Sequence, residues 1–438
     1  MAKELRSAAE ILRPVVRGLI GADPPFTVRC WDGSTLGPAE APVTIVIRSP
    51  RALRRLIYQP NELGLGRAYV AGELDVEGDV YATFDVRELM AERDGALKMR
   101  LRPAGWLSAV RAARELGILG RPLPPPPEEA RLGGRLHTRR RDAAAISHHY
   151  DVGNDFYRIV LGPTMTYSCA YWESPDVTLE DAQAAKHDLV ARKLGLQQGM
   201  RLLDIGCGWG GMVLHAAERY GVTAVGVTVS EQQASRAQER VKEAGLDGRV
   251  EIRLQDYRDI DDGPYDAVSS IGMFEHVGLD HLGAYFSTIA GLLRPKGRFL
   301  NHAISRPAGP PPIDPKSFIG HYVFPDGELH EVGAIVSAMQ EHGFEVRDVE
   351  SLREHYALTL REWVANLEAR WDEAQRLAGP ARTRIWRLYM AGSAVNFEED
   401  RTSVHQVLGV KVDDQGRSGI PLTRSWLTRQ PARANLRQ

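Results

Sequence analysis

The sequence predicts an α/β protein in which a doubly wound parallel sheet follows a small α+β domain. After residue 200, apolar runs typical of strands alternate with helical patterns of about a dozen residues, as in parallel sheets with right-handed crossover helices. The strand-like runs lie at 202–205, 222–227, 250–254, 265–270 and 297–304. The first run ends in a glycine-rich turn that leads into a helical pattern. Because such sheets bind ligands beyond the carboxyl ends of their strands, we expect the functional site at that edge.

The first 120 residues predict the smaller domain. A helical pattern covers 4–20, with Pro14 as an expected kink or break. Strand-like runs cover 26–31 and 43–47, and glycines are expected to break the stretch 62–80. This domain shows no combination of residues typical of catalysis, so the chemistry is expected in residues 143–438.

Composition excludes several classes of protein. The chain has 438 residues and a net charge of −2, which allows two domains and argues against nucleic-acid binding by overall charge. The three cysteines, Cys30, Cys169 and Cys207, form no C-x-x-C pair, so neither a disulfide framework nor a metal site is expected. No secretory pattern occurs, and no apolar run approaches the roughly 18 residues of a membrane span. The sequence therefore predicts a soluble, cytoplasmic protein.

Residues 98–141 form a basic segment. Eleven Lys and Arg residues stand against three Glu, an excess of eight positive charges, and Trp106, Leu107 and Val110 add apolar surface. A proline-rich run at 122–127 predicts a stiff linker over 121–142. Two interpretations stay open: a solvated helix and tether, or a segment that docks on anionic lipid at the inner face of the plasma membrane.

The glycine turn and the strand ends indicate the ligand. The turn has the spacing G-x-G-x-G, not the G-x-G-x-x-G of dinucleotide-binding folds, and so favours S-adenosylmethionine (SAM) over a pyrophosphate. Four polar side chains follow predicted strands, and they are expected to converge: Asp204, Thr228, Asp256 and Glu275. Two roles stay open for Asp204, which either orients the turn or contacts SAM directly.

Several runs resemble the cyclopropane-fatty-acyl-phospholipid synthase family, in the order of that family's motifs. They are ISHHYDVGNDFY (146–157), YSCAYW (167–172), LDIGCGWGG (203–211), GVTVS (226–230), LQDYRD (254–259) and GMFEHVG (272–278). Residues 404–407 are similar to the family's last strand, and 64–74 resemble the N-terminal domain of its full-length members. The resemblance implies a Rossmann-like class I methyltransferase fold with a helical insertion at about 305–400.

The resemblance also implies the site residues. The SAM-binding positions are Tyr150, Tyr167, Ser168, Asp204, Gly206, Cys207, Gly208, Thr228, Val229, Gln233, Asp256, Tyr257, Arg258 and Ile271. The family's bicarbonate pocket, which carries the catalytic residues, matches Cys169, Glu275, His302, Ile304 and Tyr356. At Cys169 and Ile304 the backbone is the expected contact. Thr228 stands where many methyltransferases place a carboxylate for the ribose.

The implied reaction transfers the methyl carbon of SAM to the cis double bond of an unsaturated phospholipid acyl chain through a carbocation. Water would capture that cation, so the reaction needs a dry cavity. A bicarbonate ion is the implied general base. Deprotonation gives either a cyclopropane or a methylene-branched chain, for example 10-methylene, which a separate reductase would turn into a methyl branch. The sequence leaves both products open.

Other features leave further alternatives. The insertion carries helical patterns at 360–377 and 381–397, which are expected to pack as a core, to cover an acyl chain, or both. Two other functions stay open: methylation of a soluble small molecule, and lipid binding without catalysis. A homo-oligomer is the default expectation for a soluble enzyme.

Overall fold

The computed structural model describes residues 6–20, 23–85, 103–130, 138, 141, 152–309 and 317–427. The chain divides into two compact units. The first comprises 1–131, 314–323 and 378–395, and the second comprises 132–313, 324–377 and 396–438. The sequence predicts a boundary near 120, whereas the first unit extends further and also takes two pieces of the insertion.

The first unit has the α+β composition that the sequence predicts. Its strands are β1 (Thr27–Arg29), β2 (Thr35–Leu36), β3 (Val43–Ile47) and β4 (Leu74–Gly78), in the order β2-β1-β3-β4. Its first helices are α1 (Ala8–Ile20), α2 (Pro50–Tyr58), α3 (Glu62–Val70) and α4 (Pro103–Glu115). The β1–β3 pair is parallel and the other neighbours are antiparallel.

Pro14, Gly64 and Gly66 do not end the helices in which they lie, which corrects part of the expectation from the sequence, whereas Gly72 lies between α3 and β4, as expected of a break. Gly64 and Gly66 lie inside α3, and α1 runs through Pro14. A Cβ at Gly64 would lie 2.0 Å from the carbonyl oxygen of Gln59, and one at Gly66 would lie 2.4 Å from the ring of Phe318. Both glycines therefore permit close packing within a continuous helix, and they do not mark a loop.

The described part of the predicted stiff linker, 121–130, makes side-chain hydrogen bonds to the first unit. Arg55 Nη1 donates to the carbonyl oxygen of Pro124 at 2.8 Å. The Arg67 guanidinium donates two hydrogen bonds, of 2.9 and 2.6 Å, to the buried carboxylate of Glu129. Buried charge pairs of this kind hold the segment in place, because breaking one leaves an uncompensated charge.

The second unit contains an eight-stranded sheet. Seven strands have the order β11-β12-β9-β8-β5-β6-β7, and β10 pairs with β9. The strands are β5 (Arg201–Ile205), β6 (Thr223–Thr228), β7 (Val250–Leu254), β8 (Tyr265–Ile271), β9 (Leu293–Arg306), β10 (His330–Glu331), β11 (Glu345–Ser351) and β12 (Ser403–Val410). The pairs of β12 with β9 and with β11 are antiparallel, and the others are parallel. The predicted doubly wound sheet is confirmed.

Helices cover both faces of this sheet. They are α5 (Asn154–Leu161), α6 (Leu179–Leu194), α7 (Gly211–Tyr220), α8 (Glu231–Glu243) and α9 (Leu282–Leu292). On one face Leu202 of β5 packs in a cluster with residues of α6, α7 and α8. On the other face Leu203 packs in a second cluster with residues of α9. Adjacent residues of one strand thus enter opposite cores, as the alternation of strand side chains requires.

The insertion is only partly helical. Its helices are α10 (Phe318–Tyr322), α11 (Val332–Glu341), α12 (Arg353–Ala369), α13 (Trp371–Ala378) and α14 (Pro380–Glu398). It also contributes the edge strand β11, which the sequence did not reveal, because the charges of Glu345, Arg347 and Glu350 hide its pattern. Across the described part of the chain, no helix combines the length and the apolar character needed to span a membrane.

Candidate active site

A cavity of about 220 Å³ is lined by residues at the carboxyl ends of β5, β6 and β8 and by residues that follow β7. The predicted SAM-binding residues that line it are Tyr167, Ser168, Asp204, Gly206, Cys207, Gly208, Thr228, Val229, Gln233, Asp256, Tyr257, Arg258 and Ile271. Tyr150 lies outside the described residues. The structure therefore brings together residues that come from four different strand ends.

Three glycines shape the turn between β5 and α7. Gly206, Gly208 and Gly210 have φ values of +77°, +54° and +81°, in the left-handed region that favours glycine. The N–H groups of Gly206 and Cys207 donate to the carbonyl oxygen of Val227 at 2.9 and 3.0 Å. These bonds fix the turn to β6, and Gly211 and Met212, the first residues of α7, line the cavity.

Thr228 and Gln233 are hydrogen-bonded to each other at the end of β6. The Thr228 hydroxyl donates to Gln233 Oε1 at 2.8 Å, and both side chains are buried. The hydroxyl of Ser230 accepts the N–H of Gln233 and so begins α8. The side-chain NH₂ of Gln233 remains a donor for a ligand oxygen, at the place where the resemblance puts the ribose.

Asp256 organises the segment after β7. Its carboxylate accepts the N–H of Arg258 at 3.0 Å and two hydrogen bonds from the Arg258 guanidinium, of 2.8 and 2.6 Å. Tyr257 packs edge-on against Tyr285, with ring centroids 5.4 Å apart. Asp256 therefore positions Arg258, and Tyr285 packs against Tyr257, so that both neighbouring side chains line the cavity.

Asp204 is buried at the end of β5 and has a partner on the next strand. Its Oδ1 accepts a hydrogen bond from Ser269 Oγ at 2.6 Å. Burial raises the pKa of Asp204 to about 6. Because the side chain also lines the cavity, its anchoring role and contact with a ligand are compatible.

Sequence reasoning missed two basic side chains that line the cavity, Lys186 and His187 of α6. Lys186 Nζ donates to Ser168 Oγ at 3.0 Å, and the side chain is only 1% exposed. His187 Nε2 lies 3.2 Å from Thr166 Oγ1. The sequence does contain a signal, because Lys186 stands four residues from Ala182 and from Val190, on the apolar stripe of the helix.

Three of the five predicted catalytic residues, Glu275, His302 and Ile304, lie at or beside β9. Glu275 Oε1 accepts the main-chain N–H of Ile304 at 2.7 Å, and burial raises the pKa of Glu275 to about 7. Gln406 Nε2 donates to His302 Nδ1 at 3.2 Å across the β9–β12 pair. Glu275 Oε2 and His302 Nε2 are buried without a hydrogen-bond partner among the described residues. Burial also holds the pKa of His302 well below its usual value, so the ring is neutral.

The other two predicted residues adjoin this group through Leu352. Cys169 is fully buried, with its Sγ 3.6 Å from the Leu352 carbonyl oxygen, which also accepts the N–H of Tyr356 at 3.1 Å. The N–H of Leu352 donates to the carbonyl oxygen of Val404 at 2.9 Å, and Val404 lies opposite Ile304. All five predicted catalytic positions therefore surround the junction of β9, β12 and α12.

A line of aromatic rings runs from the glycine turn to this second group. Trp209 packs on Tyr157 with centroids 4.8 Å apart, and Tyr157 meets Tyr167 at 5.7 Å. Tyr167 stacks on Trp363 at 5.3 Å, and Trp363 meets Tyr356 edge-on at 6.0 Å. The two clusters are further connected because Ile271, which lines the cavity, pairs with His302. The wall between them is thus apolar and closely packed.

Comparison with known proteins shows the family of this chain. The family model described as "Mycolic acid cyclopropane synthetase" matches residues 137–407. A protein of Mycobacterium tuberculosis named "Probable fatty acid methyltransferase" is 42% identical over 409 residues, which cover 92% of this chain and 95% of that protein. The cyclopropane-fatty-acyl-phospholipid synthase of Escherichia coli is 36% identical over 368 residues, which cover 84% of this chain and 88% of that protein.

A solved structure supports the same assignment. The mycolic acid cyclopropane synthase CmaA1, complexed with SAH and CTAB, matches with a TM-score of 0.58 and 37% identity, over 61% of this chain and 98% of that one. The fold is therefore that of the class I SAM-dependent methyltransferases, and SAM is the cofactor that the cavity fits. The chain belongs to the mycolic acid cyclopropane synthetase family and is a SAM-dependent methyltransferase.

Proposed function

We propose that the protein transfers the methyl carbon of SAM to the cis double bond of an unsaturated phospholipid acyl chain, with bicarbonate as general base. The observation that carries this proposal is the pair of buried atoms without protein partners, Glu275 Oε2 and His302 Nε2. Burying such atoms costs free energy of desolvation unless a polar ligand forms hydrogen bonds with them. When bound, SAM supplies an electrophilic methyl group and bicarbonate supplies a proton acceptor.

The side chains present opposite hydrogen-bonding groups to such an anion. Because Gln406 donates to His302 Nδ1, the proton of the neutral ring belongs on Nε2, which is then a donor. Above pH 7, where the Glu275 carboxylate is ionised, its Oε2 is an acceptor and fits the O–H of bicarbonate. A donor and an acceptor held beside each other match an ion that has both an O⁻ and an O–H.

The row of aromatic rings from Trp209 to Tyr356 is proposed to exclude water from the reaction. An alkene that takes up a methyl cation leaves a carbocation on the acyl chain, and water would trap it as an alcohol. Tyr157 and Trp363 are completely buried, and Tyr356 is 6% exposed. The burial of these rings supports a site of proton removal that is closed to water.

The lipid substrate is supported by the relatives, whose names state fatty acids, fatty-acyl phospholipids or mycolic acids. The product is a cyclopropane or a methylene-branched acyl chain, and the second would pass to a separate reductase. Methylation of a soluble small molecule and lipid binding without catalysis are the competing functions.

The test uses the full chain with SAM, bicarbonate and vesicles of dioleoyl phospholipid. We expect acyl chains that are heavier by one CH₂, detected by mass spectrometry. Proton NMR of the released fatty acids then separates ring protons from the =CH₂ protons of a methylene branch. Retained SAM binding without any heavier lipid would favour a soluble substrate. Failure to bind SAM would favour a lipid-binding protein.

We also propose that the first unit docks on an anionic membrane surface through α4. Leu107 and Val110 are 78% and 43% exposed, and Arg111 and Arg114 continue the same helix on its exposed side. The side chain of Trp106 lies outside the described residues. Apolar side chains flanked by cations are typical of helices that lie on acidic lipid.

Vesicle co-sedimentation tests this docking face. We expect binding to phosphatidylglycerol vesicles, weak binding to phosphatidylcholine, and loss of binding in the double variant Leu107→Asp/Val110→Asp. The variant Leu377→Asp, which changes a leucine that is 43% exposed in the second unit, is the matched control. Equal sedimentation of both variants would contradict the assignment.

A further inference from the structure

Lys186 is a buried cation for which the proposed methylation has no use. Its ammonium donates to the hydroxyl of Ser168 at 3.0 Å, and its side chain lines the SAM cavity. Within the described part of the chain Lys186 forms no ion pair. Its electrostatic interaction with the Asp204 carboxylate favours the charged ammonium. A buried ammonium without an ion-pair partner is unfavourable, because desolvation penalises the charge.

Asp204 compensates this charge only in part. Its Oδ1 is held by Ser269 at 2.6 Å, and burial still raises the pKa of Asp204 to about 6. Burial likewise lowers the pKa of Lys186 to about 8. The cavity is therefore lined by one cation and one carboxylate, and neither forms an ion pair among the described residues. A zwitterionic ligand would satisfy both of them.

The strand order indicates which part of SAM reaches Lys186. The sheet has the order β8-β5-β6-β7, so Gln233 and Tyr257 line the cavity from the β6 and β7 side. The resemblance assigns both positions to SAM, and Thr228, which is hydrogen-bonded to Gln233, stands where many methyltransferases bind the ribose. Asp204 and its partner Ser269 belong to β5 and β8, on the other side, and Lys186 faces them from α6. The amino-acid end of SAM therefore extends toward Lys186.

We propose that the Lys186 ammonium binds the α-carboxylate of SAM, with the Ser168 hydroxyl as a second donor. The ammonium holds Ser168 in place through their hydrogen bond, so the two side chains form one anion-binding unit. The carboxylate of Asp204 supplies the complementary charge for the α-ammonium. The unit recognises the methionine part of the cofactor and takes no part in proton removal from the lipid.

The experiment compares two ligands by isothermal titration calorimetry of the full chain. One is S-adenosylhomocysteine, and the other is its decarboxylated analogue S-adenosyl-3-thiopropylamine, which lacks only the carboxylate. We expect wild type to bind S-adenosylhomocysteine at least about tenfold more tightly, as a charge-assisted hydrogen bond warrants. In Lys186→Met this preference is lost, because the affinity for S-adenosylhomocysteine falls while that for the analogue stays within about threefold.

Two further measurements keep the test decisive if Lys186→Met does not fold. Ser168→Ala retains the ammonium and is expected to lose part of the preference. In wild type the preference should decline as the pH rises above 8, because the unliganded ammonium then loses its proton. Lys242→Met, on the exposed side of α8, is the control and should bind both ligands as wild type does.

An equal loss of affinity for both ligands in Lys186→Met would overturn the proposal and leave Lys186 a structural residue. A wild-type preference that does not change with pH, together with an unchanged preference in Ser168→Ala, would do the same. The inference rests on SAM as the cofactor and not on the lipid substrate. The binding measurements therefore test the role of Lys186 whether or not the protein methylates a lipid.

Discussion

The main-chain N–H of Ile304 donates a 2.7 Å hydrogen bond to one carboxylate oxygen of Glu275. The other oxygen of Glu275 is buried and has no hydrogen-bond partner among the described residues. One oxygen is therefore fixed to β9 two residues beyond His302, while the other is left for a ligand. Oε1 therefore has a structural contact, and Oε2 is the atom that we propose binds the bicarbonate.

Replacing Glu275 by Gln tests that assignment. The amide oxygen can still accept the N–H of Ile304, but an NH₂ donor then stands where Oε2 accepts. We expect turnover of dioleoyl phospholipid to fall by at least about 100-fold, the usual contribution of a general base, because the bicarbonate that serves as base loses the acceptor that holds it. The affinity for S-adenosylhomocysteine should stay within about threefold of wild type. A comparable loss of both quantities would show that Glu275 is structural.

The raised pKa of Glu275 predicts a pH dependence of stability. Its ordinary value is 4.5 and the folded value is about 7, so the folded state prefers the protonated form. The unfolded chain ionises first as the pH rises, and wild type should lose stability between pH 4.5 and 7 relative to Glu275→Gln. The loss amounts to roughly 3 kcal/mol at most, at about 1.4 kcal/mol per pKa unit. Urea denaturation of both proteins across this range measures it, and parallel curves would contradict the shift.

The bond between Gln406 and His302 predicts a defect that bicarbonate can repair. In Gln406→Met no donor faces His302 Nδ1, so the ring no longer keeps its proton on Nε2. We expect the bicarbonate concentration for half-maximal rate to rise about tenfold, the effect of losing one buried hydrogen bond. The affinity for S-adenosylhomocysteine should not change. Gln415→Met, at an exposed position, is the control, and a lowered rate that bicarbonate does not restore would contradict this role.

The close contact at Gly64 predicts that a helix-favouring substitution destabilises the first unit. In an exposed helix, Gly→Ala stabilises by about 1 kcal/mol. At Gly64 the new Cβ would lie 2.0 Å from the carbonyl oxygen of Gln59, so we expect Gly64→Ala to cost about 1–3 kcal/mol instead. Gly291→Ala in α9 is the matched control, because among the described residues no atom outside the backbone of its own helix and its two chain neighbours lies within 4 Å of its Cβ position. Calorimetry of both variants checks the opposite signs.

The sequence predicted most of the sheet and the cofactor cavity, and the reason is visible at particular residues. Gly206 and Gly208 directly follow an apolar strand, and this sequence pattern predicts a tight turn because glycine readily adopts positive φ values. Both residues do have positive φ values in the structure. Thr228 and Asp256 follow strands whose pattern is just as clear. β11 escaped prediction because an edge strand carries charges such as Glu345 and Glu350, which resemble those of a loop.

The sequence by itself determined the α/β class, the strand ends and, through its resemblance, the residues that line the SAM cavity. These properties follow from local patterns, since strand alternation and glycine turns are encoded within a few neighbouring positions. Only the tertiary structure decided that Lys186 of α6 lies against Ser168, and that Gln406 of β12 orients His302 of β9. Burial and hydrogen-bond geometry arise when distant segments pack together, and no local pattern contains them.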